Sequence, residues 1–165
     1  MSVSIEFSDA DREAINNEAL RRQNQNQANG VSGRNGGPDI GAKALQMHIL
    51  GAAGEFAVAK YLGLQEYLYA EKIPRRGSSD LPPNIDVKTR SKHYYDLICQ
   101  LDESLLKILV LVTIEARQTL IHGWITSKDA MNKKWIKDPA GGRKAFFVPK
   151  SELLPIDSLK HSDTF

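Results

Sequence analysis

The spacing of apolar and polar residues changes character several times along the chain, and each change marks an element. Val3, Ile5 and Phe7 alternate with polar neighbours, which predicts a short lead-in strand within residues 1–7. Ser8 followed by Asp11 is a helix cap with acids in the first turn, so a helix is expected from Asp9 to about Gln27. Its apolar stripe is thin: Ala10, Ile15, Ala19 and Leu20. Residues 28–42 are rich in Gly and Asn and read as a flexible loop. Lys43 to Leu62 is the strongest helical stretch, apolar nearly all round and stopped by Gly63, which predicts a mostly buried helix.

The period then shortens. Strands are expected at Glu66–Ala70, Asn84–Arg90, Tyr94–Gln100, Lys107–Glu115, Thr119–Thr126 and Ala145–Val148. Lys107–Glu115 is a continuous Leu, Ile and Val run, the pattern of a central strand buried on both faces. It is joined to the next strand by a hairpin through Ala116, Arg117 and Gln118. Ser127 is expected to cap a short helix reaching Lys134, the segment from Asp138 to Gly142 to turn, and the Pro149 and Pro155 region to form a loosely held tail. Helices followed mostly by strands predict an α/β fold with a central mixed sheet flanked by helices. The expected layout is one domain over 1–165: helix 8–27 and loop 28–42 appended to a core at 43–150, with a tail at 151–165.

Composition narrows this only a little. With 165 residues, 41% of them hydrophobic and 25% charged, the chain can bury an ordinary core. A net charge of +2 does not prove a nucleic-acid partner, but the positive charge is clustered at Lys72–Arg76, Lys88–His93, Lys133–Lys137 and Arg143–Lys144. One cysteine, Cys99, rules out an internal disulfide framework, and its apolar surroundings predict a buried thiol. No membrane-spanning run or signal-peptide pattern is evident, so an intracellular protein without a membrane partner is expected.

The chemistry concentrates at Asn84-Ile85-Asp86-Val87-Lys88-Thr89-Arg90. On a strand, Ile85, Val87 and Thr89 face one side while Asp86, Lys88 and Arg90 face the other. Asp80 lies upstream, across Pro82-Pro83. If that break is a hairpin, Asp80 and Asp86 come together across adjacent strands, and Lys88 joins them by the period of two. Two apposed carboxylates repel unless a cation lies between them, which argues for a divalent metal. Magnesium held by carboxylates, with a lysine to orient water or neutralise charge, is what phosphodiester hydrolysis requires. On the long buried helix, Glu55 sits among small residues. It is either paired with an arginine such as Arg21 or Arg22, or it binds a metal.

Gly54-Glu55 on a buried helix, then Asp80, then Ile85-Asp86-Val87-Lys88-Thr89 before an apolar strand, resembles the PD-(D/E)XK nuclease superfamily. The stretch from Leu50 to Leu64 followed by Ile85–Thr89 is similar to small phage-type members of that group. The resemblance spans roughly residues 45–126. It implies a restriction-endonuclease-like core, with Glu55, Asp80 and Asp86 as magnesium ligands (manganese substituting) and Lys88 as catalytic lysine. The expected activity is metal-dependent cleavage of DNA, in the host cytoplasm for a phage-encoded protein. Arg21, Arg22, Arg34 and Arg90 are the candidate contacts to the phosphate backbone. A homodimer would supply the two sites needed to cut both strands. The rival expectation is a catalytically inactive module of the same fold that binds DNA or serves assembly.

Overall fold

The computed structural model describes residues 1–30, 41–69 and 78–161. Among the described residues the α-helices and strands run in the order β1 (Val3–Ile5), α1 (Asp9–Ala28), α2 (Gly41–Leu62), β2 (Ile85–Arg90), β3 (Leu97–Gln100), β4 (Ile108–Glu115), β5 (Gln118–Thr126), α3 (Ser127–Ala130), β6 (Ile136–Lys137), β7 (Ala145–Val148) and α4 (Ile156–Leu159). The fold is α/β. One four-stranded mixed sheet has the order β1-β5-β4-β2, and a second, three-stranded sheet has the order β3-β7-β6.

β4 is the axis of the molecule, as its apolar run predicts. Ile108, Val110 and Val112 point to one side, where Val58 and Ala59 of α2, Ile85 of β2 and Ile121 of β5 close a core. Leu109 and Leu111 point to the other side and meet Leu97, Cys99, Phe146 and Val148 of the second sheet. Helix therefore covers one face of the mixed sheet and strand the other. β2 runs parallel to β4, with Asp86 beside Leu109 and Lys88 beside Leu111. β2 is also an edge strand of its sheet, and its first residues are met there by Asp80 and Leu81.

The Ser8 cap forms with its full reciprocal box: the Ser8 hydroxyl accepts from the Asp11 N–H, and Asp11 accepts from the Ser8 N–H. The β4–β5 hairpin closes through Ala116 and Arg117, both at positive φ (48° and 65°), the primed-turn geometry that matches strand twist. α2 packs on β2 at Gly54, where a Cβ atom would lie 1.9 Å from Thr89 Oγ1. Only a glycine permits that approach.

Several expectations are corrected. Residues 65–67 form a 3₁₀ turn rather than the start of a strand, because Leu68 and Tyr69 are drawn down against Phe56 and the helix pair; Ala70 lies outside the described residues. The Tyr94–Gln100 strand begins only at Leu97. Thr126, not Ser127, caps α3, its hydroxyl accepting from the Asp129 N–H at 3.2 Å, and the helix stops at Ala130. The tail is held, not loose, through residue 161. Leu154 exchanges both backbone hydrogen bonds with Trp124 (2.8 and 2.9 Å), and Ile156 and Leu159 enter the main core. Leu153, Ile156 and Leu159 anchor this segment to two different cores, so no single apolar period runs along it.

Candidate functional site

The Asp80–Asp86 hairpin exists. Leu81 and Ile85 exchange backbone hydrogen bonds at 3.0 and 2.9 Å across the two prolines, which sets Asp80 opposite Asp86. Asp80 Oδ2 also accepts the Val87 N–H at 2.8 Å, fixing its carboxylate at the start of β2. Lys88 falls on the same face as Asp86, with Nζ 3.7 Å from Asp86 Oδ2. Asp86 and Lys88 thus share a face, and Asp80 stands opposite Asp86 in the hairpin register.

Two further residues complete the cluster: Glu103 and Lys107, from the turn between β3 and β4. Lys107 Nζ lies 2.7 Å from Asp86 Oδ2 and 3.7 Å from Glu103 Oε1. Lys88 Nζ lies 2.8 Å from Glu103 Oε2. Each lysine therefore touches both carboxylates. Asn84 ties this turn to β2, its carbonyl accepting from Ile108 N–H at 3.0 Å and its side-chain amide donating to the Leu106 carbonyl. Burial of Lys107 opposes its charge, but the hydrogen bond and charge of Asp86, with Glu103 and Asp80 behind, outweigh that and raise its pKa. Asp86 is 7% exposed, and among the described residues its Oδ1 is buried with no hydrogen-bond partner. Buried carboxylate oxygens are normally hydrogen-bonded, and a water, an ion or a substrate group could each satisfy this one.

The spacing carried a faint signal for these two. Glu103 and Lys107 are four apart, and a lysine at the head of a strand buried on both faces needs a carboxylate. What was not visible is that β2 runs parallel beside β4 and presents Asp86 to that lysine.

Glu55 is not brought to this cluster. α2 covers the Ile85–Val87 face of the sheet, whereas Asp86 and Lys88 open to the other. Both Glu55 oxygens accept from Arg22, at 3.1 and 2.7 Å, and Arg22 Nε donates to Glu18 at 2.9 Å. Of the two expectations for Glu55, the structure displays the arginine pair. Burial works against the Arg22 charge, yet Glu55 and Glu18 raise its pKa further. Arg21 also holds Glu18, at 2.7 and 2.8 Å. Arg21 and Arg22 therefore bind α1 to itself and to α2. Arg34 lies outside the described residues.

Beside Lys88, along the open edge of β2, runs a cleft of about 500 Å³ between Met47 of α2 and Gln100 of β3. Arg90 lines it, with its guanidinium 4.5 Å from the centre of the Tyr95 ring and NH1 donating to the Asp96 carbonyl at 2.8 Å. The cleft has an apolar floor, an aromatic wall and cations at its edge. Cys99 lies below, buried as expected, its thiol pKa pushed up to about 11 by burial and by the Glu103 charge.

Comparison with protein-family models, with curated proteins and with solved structures returned no match. The residues themselves must carry the functional argument.

Among the described residues, no group of three or more His, Cys, Asp or Glu side chains stands close enough to hold a metal ion as the side chains lie. Magnesium needs less: it keeps several waters and takes one or two carboxylates together with substrate phosphate. Asp80 and Asp86 fit that demand in donor chemistry, and Asp86 Oδ1 has no hydrogen-bond partner among the described residues. Glu55, with both oxygens on Arg22, does not. Among the described residues, no helix is long and apolar enough to cross a membrane.

Proposed function

We propose that this chain is a magnesium-dependent nuclease cleaving phosphodiester bonds in DNA, with a restriction-endonuclease-like core of the PD-(D/E)XK kind. One observation carries the reading: two carboxylates opposed across a hairpin, with a lysine two residues on and on the same face. The orphaned Asp86 oxygen and the cleft beside Lys88 support it.

Asp80 and Asp86 would hold the ion. Bound there, magnesium supplies Lewis-acid polarisation of the scissile phosphate and a more acidic attacking water. Lys88 presents its ammonium beside the Asp86 carboxylate, where it can donate to a phosphate oxygen and offset charge developing in the transition state. Glu103, 2.8 Å from that ammonium, fixes its direction. Arg90 and Tyr95 offer a charge and a ring face to the strand running away from the scissile bond. The buried walls limit water around Asp86 and strengthen every charge interaction there.

A second reading is favoured by a specific observation: Asp86, Lys88, Glu103 and Lys107 form a set of two acids and two lysines whose ion pairs link all four. On that reading the chain is a non-catalytic DNA-binding or assembly module. The deciding experiment incubates purified protein with linear, nicked, branched and single-stranded DNA in magnesium, manganese or EDTA. Lys88→Ala and Asp86→Asn run alongside. Cleavage that needs metal and disappears in both variants supports the nuclease. Absence of cleavage on every substrate, with equal DNA retention by all three proteins, refutes it in favour of the module.

A further inference from the structure

We propose that the cleft along β2 and the aromatic turn beside it form one track for an unpaired nucleic-acid strand. The proposal deepens the nucleic-acid reading above, because it names the substrate class as single-stranded. It rests on residues outside the acid and lysine cluster.

The turn is residues 91–96, which join β2 to β3, and the Tyr95 N–H donates to the Lys92 carbonyl across it at 3.1 Å. It carries three consecutive rings. His93 and Tyr94 meet edge to face with 5.3 Å between centroids, and Tyr94 and Tyr95 with 5.0 Å. Tyr94 is 60% exposed, the His93 side chain is 66% exposed, and none of the three rings is part of a hydrophobic core. Rings held by one another yet open to solvent are stacking surfaces for bases, every one of which has a π-face.

Tyr95 leads this run into the cleft. It lines that space of about 500 Å³ together with Arg90, whose guanidinium lies 4.5 Å from the ring centre, while Met47 and Leu50 of α2 make an apolar side. A cleft of this size takes a small organic ligand, and a nucleoside fits that description. Polar groups stand at its floor. Along the outer edge of β2, Ile85 exchanges hydrogen bonds with Leu81, and the Val87 N–H goes to Asp80. By the same alternation the Thr89 N–H and C=O point out from this edge, and among the described residues no hydrogen bond reaches them. Thr89 lines the cleft, so a donor and an acceptor are available to the edge of a base.

Cations accompany the rings. Arg90 stacks on Tyr95, Lys92 precedes His93, and Lys150 Nζ donates to the His93 carbonyl at 2.8 Å. Glu115 holds Lys92 at 3.4 Å and His93 at 2.9 Å, which orders the turn and offsets part of its charge. A single strand meets both kinds of group, its bases on the rings and its phosphates on the cations. A duplex keeps its bases stacked on one another, so it meets the cations alone. Loss of a ring should therefore weaken single-strand binding and spare duplex binding, whereas a surface acting by charge alone would treat both alike.

The experiment is fluorescence anisotropy in EDTA with four labelled probes: short oligothymidylate, the matching oligouridylate, a blunt duplex, and an oligomer of the same length that is abasic throughout. Circular dichroism melts check that each variant is folded. Wild type should bind oligothymidylate or oligouridylate more tightly than the duplex, and the tighter of the two identifies the strand as DNA or RNA. Tyr94→Ala should weaken single-strand binding about 10-fold, the scale of one lost base stack, and leave the duplex and the abasic oligomer within about two-fold. Tyr94→Phe should match wild type, because the ring and not the hydroxyl is used. Tyr95→Leu keeps apolar bulk in the cleft wall and should lose single-strand affinity as Tyr94→Ala does. Equal affinity of wild type for single strands and duplex overturns the proposal. So does wild-type single-strand affinity in both ring variants, or an equal loss on the abasic oligomer. Binding without metal also separates this proposal from the nuclease. Ring-dependent single-strand binding without cleavage keeps the track and removes the nuclease, while metal-dependent cleavage without ring-dependent binding keeps the nuclease and removes the track.

Discussion

Glu55 is where two physical accounts of one residue diverge, and replacing it separates them. As an ion-pair partner, its carboxylate meets the Arg22 fork at 2.7 and 3.1 Å, with side-chain exposures of 11% and 24%. At an effective dielectric of 20, opposite charges about 4 Å apart attract by roughly 4 kcal/mol. The larger cost of Glu55→Gln is the arginine left buried without its main partner, which for a fully buried pair is about 3–5 kcal/mol. Arg22 keeps Glu18 at 2.9 Å and is a quarter exposed, so the lower end applies, about 2–3 kcal/mol. For a chain of this length, each kcal/mol lowers Tm by roughly 2–4 °C, giving a drop of about 4–12 °C. Circular dichroism melts in EDTA measure it without any metal. Arg22→Met should cost a similar amount, and the double variant far less than the two losses added. If Glu55→Gln melts within a degree of wild type in EDTA, and magnesium raises the melting temperature of wild type but not of the variant, Glu55 is a metal ligand and the ion-pair argument is wrong.

Other consequences follow from single contacts. Gly54→Ala places a Cβ against Thr89, should cost about 1–3 kcal/mol by overpacking, and should be partly rescued by Thr89→Ala in the same denaturant titration. His122 is held between Thr113 Oγ1 at 2.6 Å and Ser2 Oγ at 3.0 Å, and burial, with the nearby charges of Lys150, His93 and the N-terminus, lowers its pKa from 6.5 to about 4. Because the unfolded chain takes up this proton first on acidification, the fold loses stability as pH falls from 6.5 to 4, by at most about 3 kcal/mol. Melts across that range should show the loss for wild type and a shallower one for His122→Gln; identical slopes contradict the assignment. Arg90→Ala should weaken DNA binding in EDTA and reduce the slope of log affinity against log salt by about 0.9, as expected for one lost phosphate contact. An unchanged slope in fluorescence anisotropy removes Arg90 from the DNA path.

Local rules were enough wherever a side chain's fate depends on its near neighbours in the chain. Period-two alternation put Asp86 and Lys88 on one face, the Pro82-Pro83 break made the hairpin that opposes Asp80, and the Ser8–Asp11 box started α1. The continuous apolar run at 108–112 announced a strand with two cores, one on each side. These effects act within a few residues, so the order of residues specifies them.

Partners distant in sequence were a different matter. Arg22 and Glu55 are 33 positions apart, and Lys107 and Asp86 are 21 apart. Which cation meets which acid depended on α1 crossing α2 and on β2 lying parallel beside β4, and neither choice leaves a mark on local periodicity. The same holds for Leu154, Ile156 and Leu159, which read as tail until Trp124 and the core gave them a place. Charge pairing and burial are non-local energies, settled once the layers assemble. The chain order therefore shows where the acids and lysines of the candidate site lie, while the packing of helix, hairpin and turn determines which of them face one another.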